Sequence, residues 1–273
     1  MSNEEIEHGW NNMAKILVHG RPLANREAQE NIEFDVKAFI FDKDGTLITH
    51  DHFVPIMEKR LELLTEKYNL SHPDQAQLTR ILGLDPKTRE IIPHGTMFIA
   101  RADTQKLVEA FLEEHGFYGK EVRNTVTEIF QKADLEVELE KYIRPIPGVP
   151  ELLEKLKNRN VNIAIATHDS TIAAEKQLTI ANLNQYLDLI IGLDYNDNIQ
   201  HKPSPSMLLT ACKKFDISPK EAVVLGDSMN DVLMGIRGGA GLSIAVLTGE
   251  HELEEFKEYD AILDSVAMLE ILD

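Results

Sequence analysis

The sequence has little that would cross-link the chain or anchor it in a membrane. Its 273 residues include one cysteine, Cys212, which has no partner for an internal disulfide and lies in a helical pattern typical of a buried thiol. No apolar run approaches the roughly eighteen residues that span a bilayer. The acidic N-terminus lacks the basic and apolar regions of a signal peptide. We therefore expect a cytoplasmic protein that makes no contact with a membrane.

Positive charge is also scarce. The 28 Lys and Arg residues face 46 Asp and Glu residues, which gives a net charge of −18. This balance argues against nucleic-acid binding, which needs a basic face, and it repels anionic substrates at long range. A phosphate-bearing substrate would have to be held by local cations, backbone N–H groups and a metal ion.

The remaining composition, 43% apolar and 27% charged, is that of a globular protein. Strand-like runs occur at residues 36–41, 161–166, 187–193, 222–225 and 242–247. Helical stretches alternate with the last four runs, at residues 149–159, 171–183, 204–215 and 231–238. This alternation predicts an α/β fold with a Rossmann-like, mostly parallel sheet covered by helices on both faces.

Two parts of the chain depart from this alternation. Residues 1–34 are polar and weakly patterned, and we expect a loose helical extension without an assigned function. From about residue 53 to residue 142 the apolar residues recur at helical spacing, which predicts an all-helical cap inserted after the first strand. The predicted organisation is an extension at 1–34, a catalytic core at 35–50 and 145–273, and a cap at 51–144.

The Pro-rich segment 144–150 would return the chain from the cap to the core. It is either a hinge or a stiff turn before a helix whose first turn contains Pro150.

The first predicted strand delivers two carboxylates, Asp42 and Asp44, into a turn that contains Gly45. Open α/β sheets place their chemistry at the carboxyl ends of strands, and alternate residues of an extended segment share a face. The two carboxylates can therefore address one reacting centre, one as a nucleophile and one as a proton carrier. The alternative is a strand followed by an ordinary polar turn, because Asp-Gly is a common turn dipeptide.

Two later segments carry groups that suit a phosphate. Thr167 ends an apolar run at a strand-to-helix junction, where a hydroxyl and helix N–H groups can meet phosphate oxygens. The alternative there is that Thr167, Asp169 or Ser170 caps the next helix. Lys202 stands in a Pro-rich turn and can deliver a point charge to a fixed spot, although a solvated surface lysine has the same pattern.

Residues 223–231 repeat the design of the first motif, with acidic groups at the turn after an apolar strand. Asp227 and Asp231 are four residues apart and both can face one cation. Hard oxygen ligands from a few carboxylates suit Mg²⁺. The alternative is an N-capping Asp followed by a first-turn carboxylate that the helix dipole favours.

Taken in chain order, these motifs resemble the haloacid dehalogenase superfamily, in its branch with a helical cap, over roughly residues 36–260. The motifs that carry the resemblance are Asp42-Lys-Asp44-Gly-Thr46, Thr167, Lys202-Pro-Ser-Pro and Gly226-Asp227-Ser-Met-Asn-Asp231. The glycine-rich segment 238–249 is similar to the same branch, which includes the phosphoglycolate phosphatases.

The resemblance implies a Mg²⁺-dependent phosphomonoester hydrolase that acts on a small phosphorylated metabolite, with phosphoglycolate as one candidate. It makes Asp42 the nucleophile that forms an aspartyl-phosphate and Asp44 the general acid/base. Thr167 and Lys202 would hold the transferring phosphoryl oxygens. The implied Mg²⁺ ligands are Asp42, the backbone carbonyl of Asp44, Asp227 and Asp231.

Two alternative functions stay open. A phosphomutase of the β-phosphoglucomutase type uses the same intermediate. A regulatory module that has lost catalysis is the second alternative, although every expected catalytic residue type is present. Asp44 favours phosphomonoester hydrolysis, because in the superfamily dehalogenases lack this second Asp, ion-pumping ATPases have Thr and phosphonate hydrolases have Ala.

Specificity is expected to come from the cap, which would exclude water on closing. The candidate substrate contacts are Thr46, His50, His168 and Arg101. Further cap candidates, each more commonly a solvated side chain, are Arg80, Lys87, Arg89 and His94. His168 departs from the Asn that relatives often carry, and the segment from His50 to His52 is predicted to be the hinge at the cap entrance.

Overall fold

The computed structural model describes residues 14–18, 32–93, 95, 96, 99, 101–196, 198–249, 251–256, 259 and 261–272. The strands are β1 (Ala14–Val18), β2 (Ile32–Val36), β3 (Ala38–Phe41), β4 (Asn162–Ala166), β5 (Leu189–Ile191), β6 (Ala222–Gly226), β7 (Leu242–Val246), β8 (Ile262–Leu263) and β9 (Glu270–Leu272). The α-helices are α1 (Phe53–Tyr68), α2 (His72–Ile81), α3 (Arg101–Glu114), α4 (Lys120–Glu136), α5 (Val149–Asn158), α6 (Thr171–Ile180), α7 (Ser206–Phe215), α8 (Met229–Gly238) and α9 (Leu253–Phe256). Over these residues, no helix combines the length and apolarity needed to cross a bilayer.

A six-stranded parallel sheet forms the centre of the molecule, in the order β5-β4-β3-β6-β7-β8. Every residue of β3 is buried, as expected for a parallel strand covered on both faces. Phe39 and Phe41 join the apolar cluster that includes α5 and α6, while Ala38 and Ile40 face the cluster that includes α7. The predicted α/β architecture is confirmed.

The strand order places β3 between β4 and β6. Strands β4 and β5 extend the sheet on one side of β3, and β6, β7 and β8 extend it on the other. In open parallel sheets the crevice at such a switch point, outside the carboxyl ends of the strands, is where ligands bind. Asp42 follows β3, Thr167 follows β4 and Asp227 follows β6, so all three lie at this edge.

Helices α1 to α4 are inserted between β3 and α5, in the region where the sequence pattern predicts only helices. The connections that leave and re-enter the core run side by side. Thr49 N donates to Arg144 O (3.0 Å), and Ile146 N donates to Leu47 O (2.9 Å). Pro150 also lies in the first turn of α5. Segment 144–150 therefore pairs with the outgoing chain and also starts a helix.

The expectation of a loose helical extension is wrong for the described parts of residues 1–34. Residues 14–18 and 32–34 lie in β1 and β2, which pair in an antiparallel sheet that β9 completes. The side chains of β1 alternate, with Ala14, Ile16 and Val18 buried and Lys15 exposed. Five residues of alternation within a polar region are too few to stand out in the sequence. The rest of the predicted extension lies outside the described residues.

Candidate active site

Three carboxylates converge at the carboxyl ends of β3 and β6. Asp42 and Asp227 directly follow these strands, and Asp231 lies in the first turn of α8. One carboxylate oxygen from each residue lies within 4.8 Å of the other two. Their exposed fractions are 8%, 6% and 1% in that order. The fold therefore brings together acidic residues that are up to 189 positions apart in sequence (231 − 42).

Lys202 links two of these carboxylates. Its Nζ donates to Asp42 Oδ1 (2.5 Å), to Asp231 Oδ1 (2.5 Å) and to Ala166 O (3.0 Å). The residue is 6% exposed, so it is not a solvated surface lysine. The three acceptors hold the ammonium group beside Asp42, where it offsets part of the negative charge.

His168 holds the backbone of the lysine loop. Lys202 N donates to His168 Nε2 (3.0 Å), which requires an imidazole with Nε2 unprotonated. Burial and the neighbouring Lys202 ammonium group lower the pKa of His168 to about 4, so the ring is neutral at pH 7. The histidine predicted as a substrate contact therefore also positions Lys202.

The capping interpretation of the second acidic motif is correct in part, because the first turn of α8 carries an acidic residue but its N-cap is not an Asp. Ser228 is the N-cap of α8, and Asp231 is the third residue of its first turn. Asp231 Oδ2 accepts from Ser228 Oγ (2.5 Å) and Ser228 N (3.2 Å), which forms a capping box. The other oxygen, Oδ1, binds Lys202. The capping box thus fixes the Asp231 carboxylate that faces the site.

Thr167 is not the cap of α6. That role belongs to Ser170, whose Oγ accepts from Ala173 N (3.3 Å). Thr167 is 2% exposed and lines the same cavity as the carboxylates. Its Oγ1 accepts from Asp169 N (3.2 Å), and its hydroxyl hydrogen is available for a ligand oxygen.

The carboxylate cluster holds more negative charge than Lys202 offsets. Burial raises the pKa of Asp42 to about 7, with Asp231 and Asp44 acting in the same direction and Lys202 opposing them. Burial, together with Asp42 and Asp231, also raises the pKa of Asp227 well above its ordinary value. A bound cation would stabilise the ionised form of these groups.

Asp44 belongs to a separate ion-pair network. Both of its carboxylate oxygens accept from Lys43 Nζ, at 2.6 and 2.7 Å, and Oδ1 is 3.3 Å from His52 Nε2. Burial alone would raise the pKa of Asp44, but Lys43 and His52 outweigh it, and the net effect is a lowered pKa. The fully buried Lys43 also donates to Gln177 of α6 and lies 3.1 Å from Asp169 Oδ2.

Sequence reasoning did not identify Lys43 and Gln177. A lysine flanked by two carboxylates immediately after a buried strand was the available signal for Lys43. The Gln177 contact joins residues 134 positions apart and leaves no local pattern.

One cavity of about 500 Å³ lies between the strand ends and the inserted helices. It is lined by the three carboxylates, Lys202 and Thr167. Three of the four predicted substrate contacts line it, namely His50, His168 and Arg101. His50 Nε2 lies 3.8 Å from Asp227 Oδ2.

Other predicted contacts are not brought to this cavity. Thr46 lies within the turn that follows β3, where it is fully buried, and it does not line the cavity. Arg80, Lys87 and Arg89 are exposed and also lie apart from the described lining. His94 lies outside the described residues.

The carboxylate cluster fits a divalent cation. Three buried carboxylates supply hard oxygen donors, the ligand type that Mg²⁺ prefers. Backbone packs closely around Asp227, since a Cβ on Gly249 would fall 1.8 Å from Asp227 Oδ2 and one on Gly45 would fall 2.4 Å from it. Side chains at these two positions would fill the space around the carboxylate, so both glycines keep it accessible.

Comparison with known proteins gives concordant matches. A family model described as haloacid dehalogenase-like hydrolase matches residues 36–239. Phosphoglycolate phosphatase from Aquifex aeolicus is 29% identical over 213 residues, covering 77% of this chain and 85% of the relative. Validoxylamine A 7'-phosphate phosphatase from Streptomyces hygroscopicus subsp. limoneus is 28% identical, covering 83% and 92%. The crystal structure of a predicted phosphoglycolate phosphatase from Haemophilus somnus 129PT matches the fold with a TM-score of 0.64 at 20% identity, covering 85% and 95%.

Proposed function

Because the chain belongs to the haloacid dehalogenase-like hydrolase family and is a phosphatase of that family, we propose that it hydrolyses small phosphate monoesters through an aspartyl-phosphate. The observation that carries this proposal is the convergence of Asp42, Asp227 and Asp231 around Lys202 at the switch point of the sheet. A buried carboxylate beside a fixed ammonium group has the charge balance needed to approach an anionic phosphate.

In this proposal Asp42 is the nucleophile. One of its carboxylate oxygens forms a bond to phosphorus while the bond from phosphorus to the ester oxygen breaks. In its protonated form Asp44 gives a proton to the departing oxygen. The resulting carboxylate then removes a proton from the water that attacks the aspartyl-phosphate, which restores Asp42 and protonated Asp44. Thr167 and Lys202 hold the phosphoryl oxygens during both steps.

We propose Mg²⁺ as the cofactor, held by Asp42, Asp227, Asp231 and the backbone carbonyl of Asp44. The close set of buried carboxylate oxygens supports this assignment. When bound, the ion supplies positive charge to the carboxylates and to the phosphoryl oxygens.

We propose that α1 to α4 act as the cap that excludes water from this site. The contribution of α1, α3 and α4 to the cavity wall supports this role. The proposed partner is a small phosphate ester, with phosphoglycolate as one candidate, and the net charge of −18 speaks against nucleic acid. The proposed location is the cytoplasm, which suits a chain with one cysteine.

A phosphate-release screen tests the proposed function. We expect the full chain to release inorganic phosphate from members of a panel of phosphorylated metabolites, phosphoglycolate included, when Mg²⁺ is present. Excess chelator should abolish the release, and added Mg²⁺ should restore it. Isomerisation of a sugar 1-phosphate without release would instead indicate a mutase, and failure on every ester would support a non-catalytic module.

A further inference from the structure

Two arginines of the inserted helices share one acidic partner at the wall of the cavity. Arg60 of α1 donates from Nη2 to Asp134 Oδ1 (2.9 Å), and Arg101 of α3 donates from Nη1 to Asp134 Oδ2. All three side chains line the cavity that contains the catalytic carboxylates. We call Arg60, Arg101 and Asp134 the arginine cluster.

The cluster rests on an aromatic base. The guanidinium carbon of Arg60 lies 4.1 Å from the centroid of the Phe130 ring, and that of Arg101 lies 5.8 Å from it. Phe130 and Asp134 are four residues apart on α4 and therefore share one face of the helix. Stacking and ion pairing together fix the plane of Arg60, which leaves less rotamer entropy to lose on binding a ligand.

The hydrogen-bonding capacity of Arg60 is poorly used. The guanidinium group has five N–H donors, yet Nη1 donates to the weak acceptor Met57 Sδ (3.4 Å). The buried Nε has no hydrogen-bond partner among the described residues. Arg60 is 6% exposed, so little water can satisfy these donors. A buried, unsatisfied donor on a charged group is costly, so Asp134 leaves part of the hydrogen-bonding capacity of the guanidinium group unused.

The cluster also has the charge to receive an anion. Two arginines and one aspartate give a net charge of +1 in a chain whose total is −18. The cavity wall includes apolar side chains, among them Ile56 and Met57 of α1. Because Arg60 is buried, solvent screens its charge less than it would screen that of a surface arginine.

We propose that Arg60 and Arg101 form an anion subsite for a carboxylate or second phosphate at the far end of the phosphate-ester substrate. The proposal rests on the proposed function, because the catalytic carboxylates must take the scissile phosphate. A cavity of about 500 Å³ has room for an organic linker between the two anionic groups. The substrate class is therefore a small metabolite with anionic groups at both ends.

Three matched six-carbon probes test this assignment. Glucitol 6-phosphate ends in a neutral CH₂OH group, 6-phosphogluconate ends in a carboxylate, and glucitol 1,6-bisphosphate ends in a second phosphate. Phosphate release by the full chain with Mg²⁺ gives kcat/KM for each. We expect at least one anionic probe to exceed the neutral probe by about tenfold or more, as a charge-assisted bidentate contact allows. The better of the two identifies the preferred anion.

Charge-changing variants then locate the preference. Arg101→Gln should lower the ratio of kcat/KM between anionic and neutral probes about tenfold. Asp134→Asn, which raises the net charge of the cluster from +1 to +2, should raise the same ratio. Arg123→Gln, an exposed change on α4, is the matched control and should leave it unchanged. Because each ratio comes from one preparation, loss of folded enzyme cancels.

The outcomes separate the two proposals. Absence of phosphate release from every ester would overturn the proposed function and this inference with it. Release without preference for an anionic probe, or from other esters but neither anionic probe, would overturn the subsite alone. A ratio that Arg101→Gln leaves unchanged, or that Asp134→Asn fails to raise, would assign the cluster a structural role and also overturn the subsite.

Discussion

Lys43 lies between Asp42 and Asp44 in sequence, and its ammonium group binds both oxygens of Asp44. The same group donates to Gln177 on α6 and lies near Asp169. It therefore links Asp44, the proposed acid/base, to α6 and to the connection between β4 and α6. Full burial strengthens these contacts because water cannot compete for them. Lys43 is therefore a positioning residue that acts through Asp44.

Replacing Lys43 by Met tests this role. We expect Lys43→Met to lower kcat about tenfold or more with a smaller change in KM, because Asp44 loses the contact that orients it for proton transfer. Steady-state kinetics on the best substrate of the release screen measures both constants. Lys67→Met, an exposed change on α1, is the control. A Lys43→Met enzyme with the kcat of the wild type would contradict a positioning role for Lys43.

For single residues, the sequence predicts a site residue that directly follows a strand. It does not predict a contact between residues of helices that are distant in sequence. Asp42, Thr167 and Asp227 are predictable as neighbours because parallel strands end at one edge. Arg60 is not predictable, since a charged residue in an amphipathic helix is normally solvated. Its partner Asp134 is 74 positions away and becomes a neighbour only when α1 packs on α4.

Among the elements, α2 and the end of α3 are linked by a histidine. His115 Nδ1 lies 2.7 Å from Phe111 O, and Nε2 lies 3.2 Å from Asp74 Oδ1. Both partners are acceptors, which the doubly protonated ring alone can satisfy. The bond to Phe111 O and, against a smaller burial effect, the contacts with Asp74 raise the pKa of His115.

This link predicts a pH dependence of stability. A folded-state pKa above the unfolded value of about 6.5 adds stability that is fully present below that value. The contribution is lost as the pH rises through the folded-state pKa. We expect the Tm of the wild type to fall more between about pH 6 and pH 8 than the Tm of His115→Gln. His72→Gln, at the exposed start of α2, should behave as the wild type does. Equal slopes for wild type and His115→Gln would contradict the link.

The elements themselves were predictable to different degrees. Five of the six core strands stand out because their runs are mostly apolar, whereas β8 has two residues and does not. The sheet of β1, β2 and β9 does not, because its strands have three to five residues and one partner comes from the opposite end of the chain. Pairing between strands far apart in the chain leaves no local sequence pattern. The strands within residues 1–34 therefore cannot be recognised from the sequence.

For the molecule as a whole, the two proposals place scarce positive charge at two points of one cavity. Lys202 lies at the strand ends, while Arg60 and Arg101 lie on the inserted helices. The net charge of −18 repels anions elsewhere on the surface. We therefore expect a phosphate ester to bind only in the cavity where the core and the insertion meet.

The central claim is that Asp42 becomes phosphorylated during turnover. Rapid acid quench of the full chain with Mg²⁺ and its best substrate, followed by peptide mass analysis, tests it most directly. We expect the added mass of one phosphoryl group on the peptide that contains Asp42, more of it in Asp44→Asn, and no adduct or turnover in Asp42→Asn. Undiminished phosphate release by Asp42→Asn, or a phosphoryl group on a different residue, would contradict it.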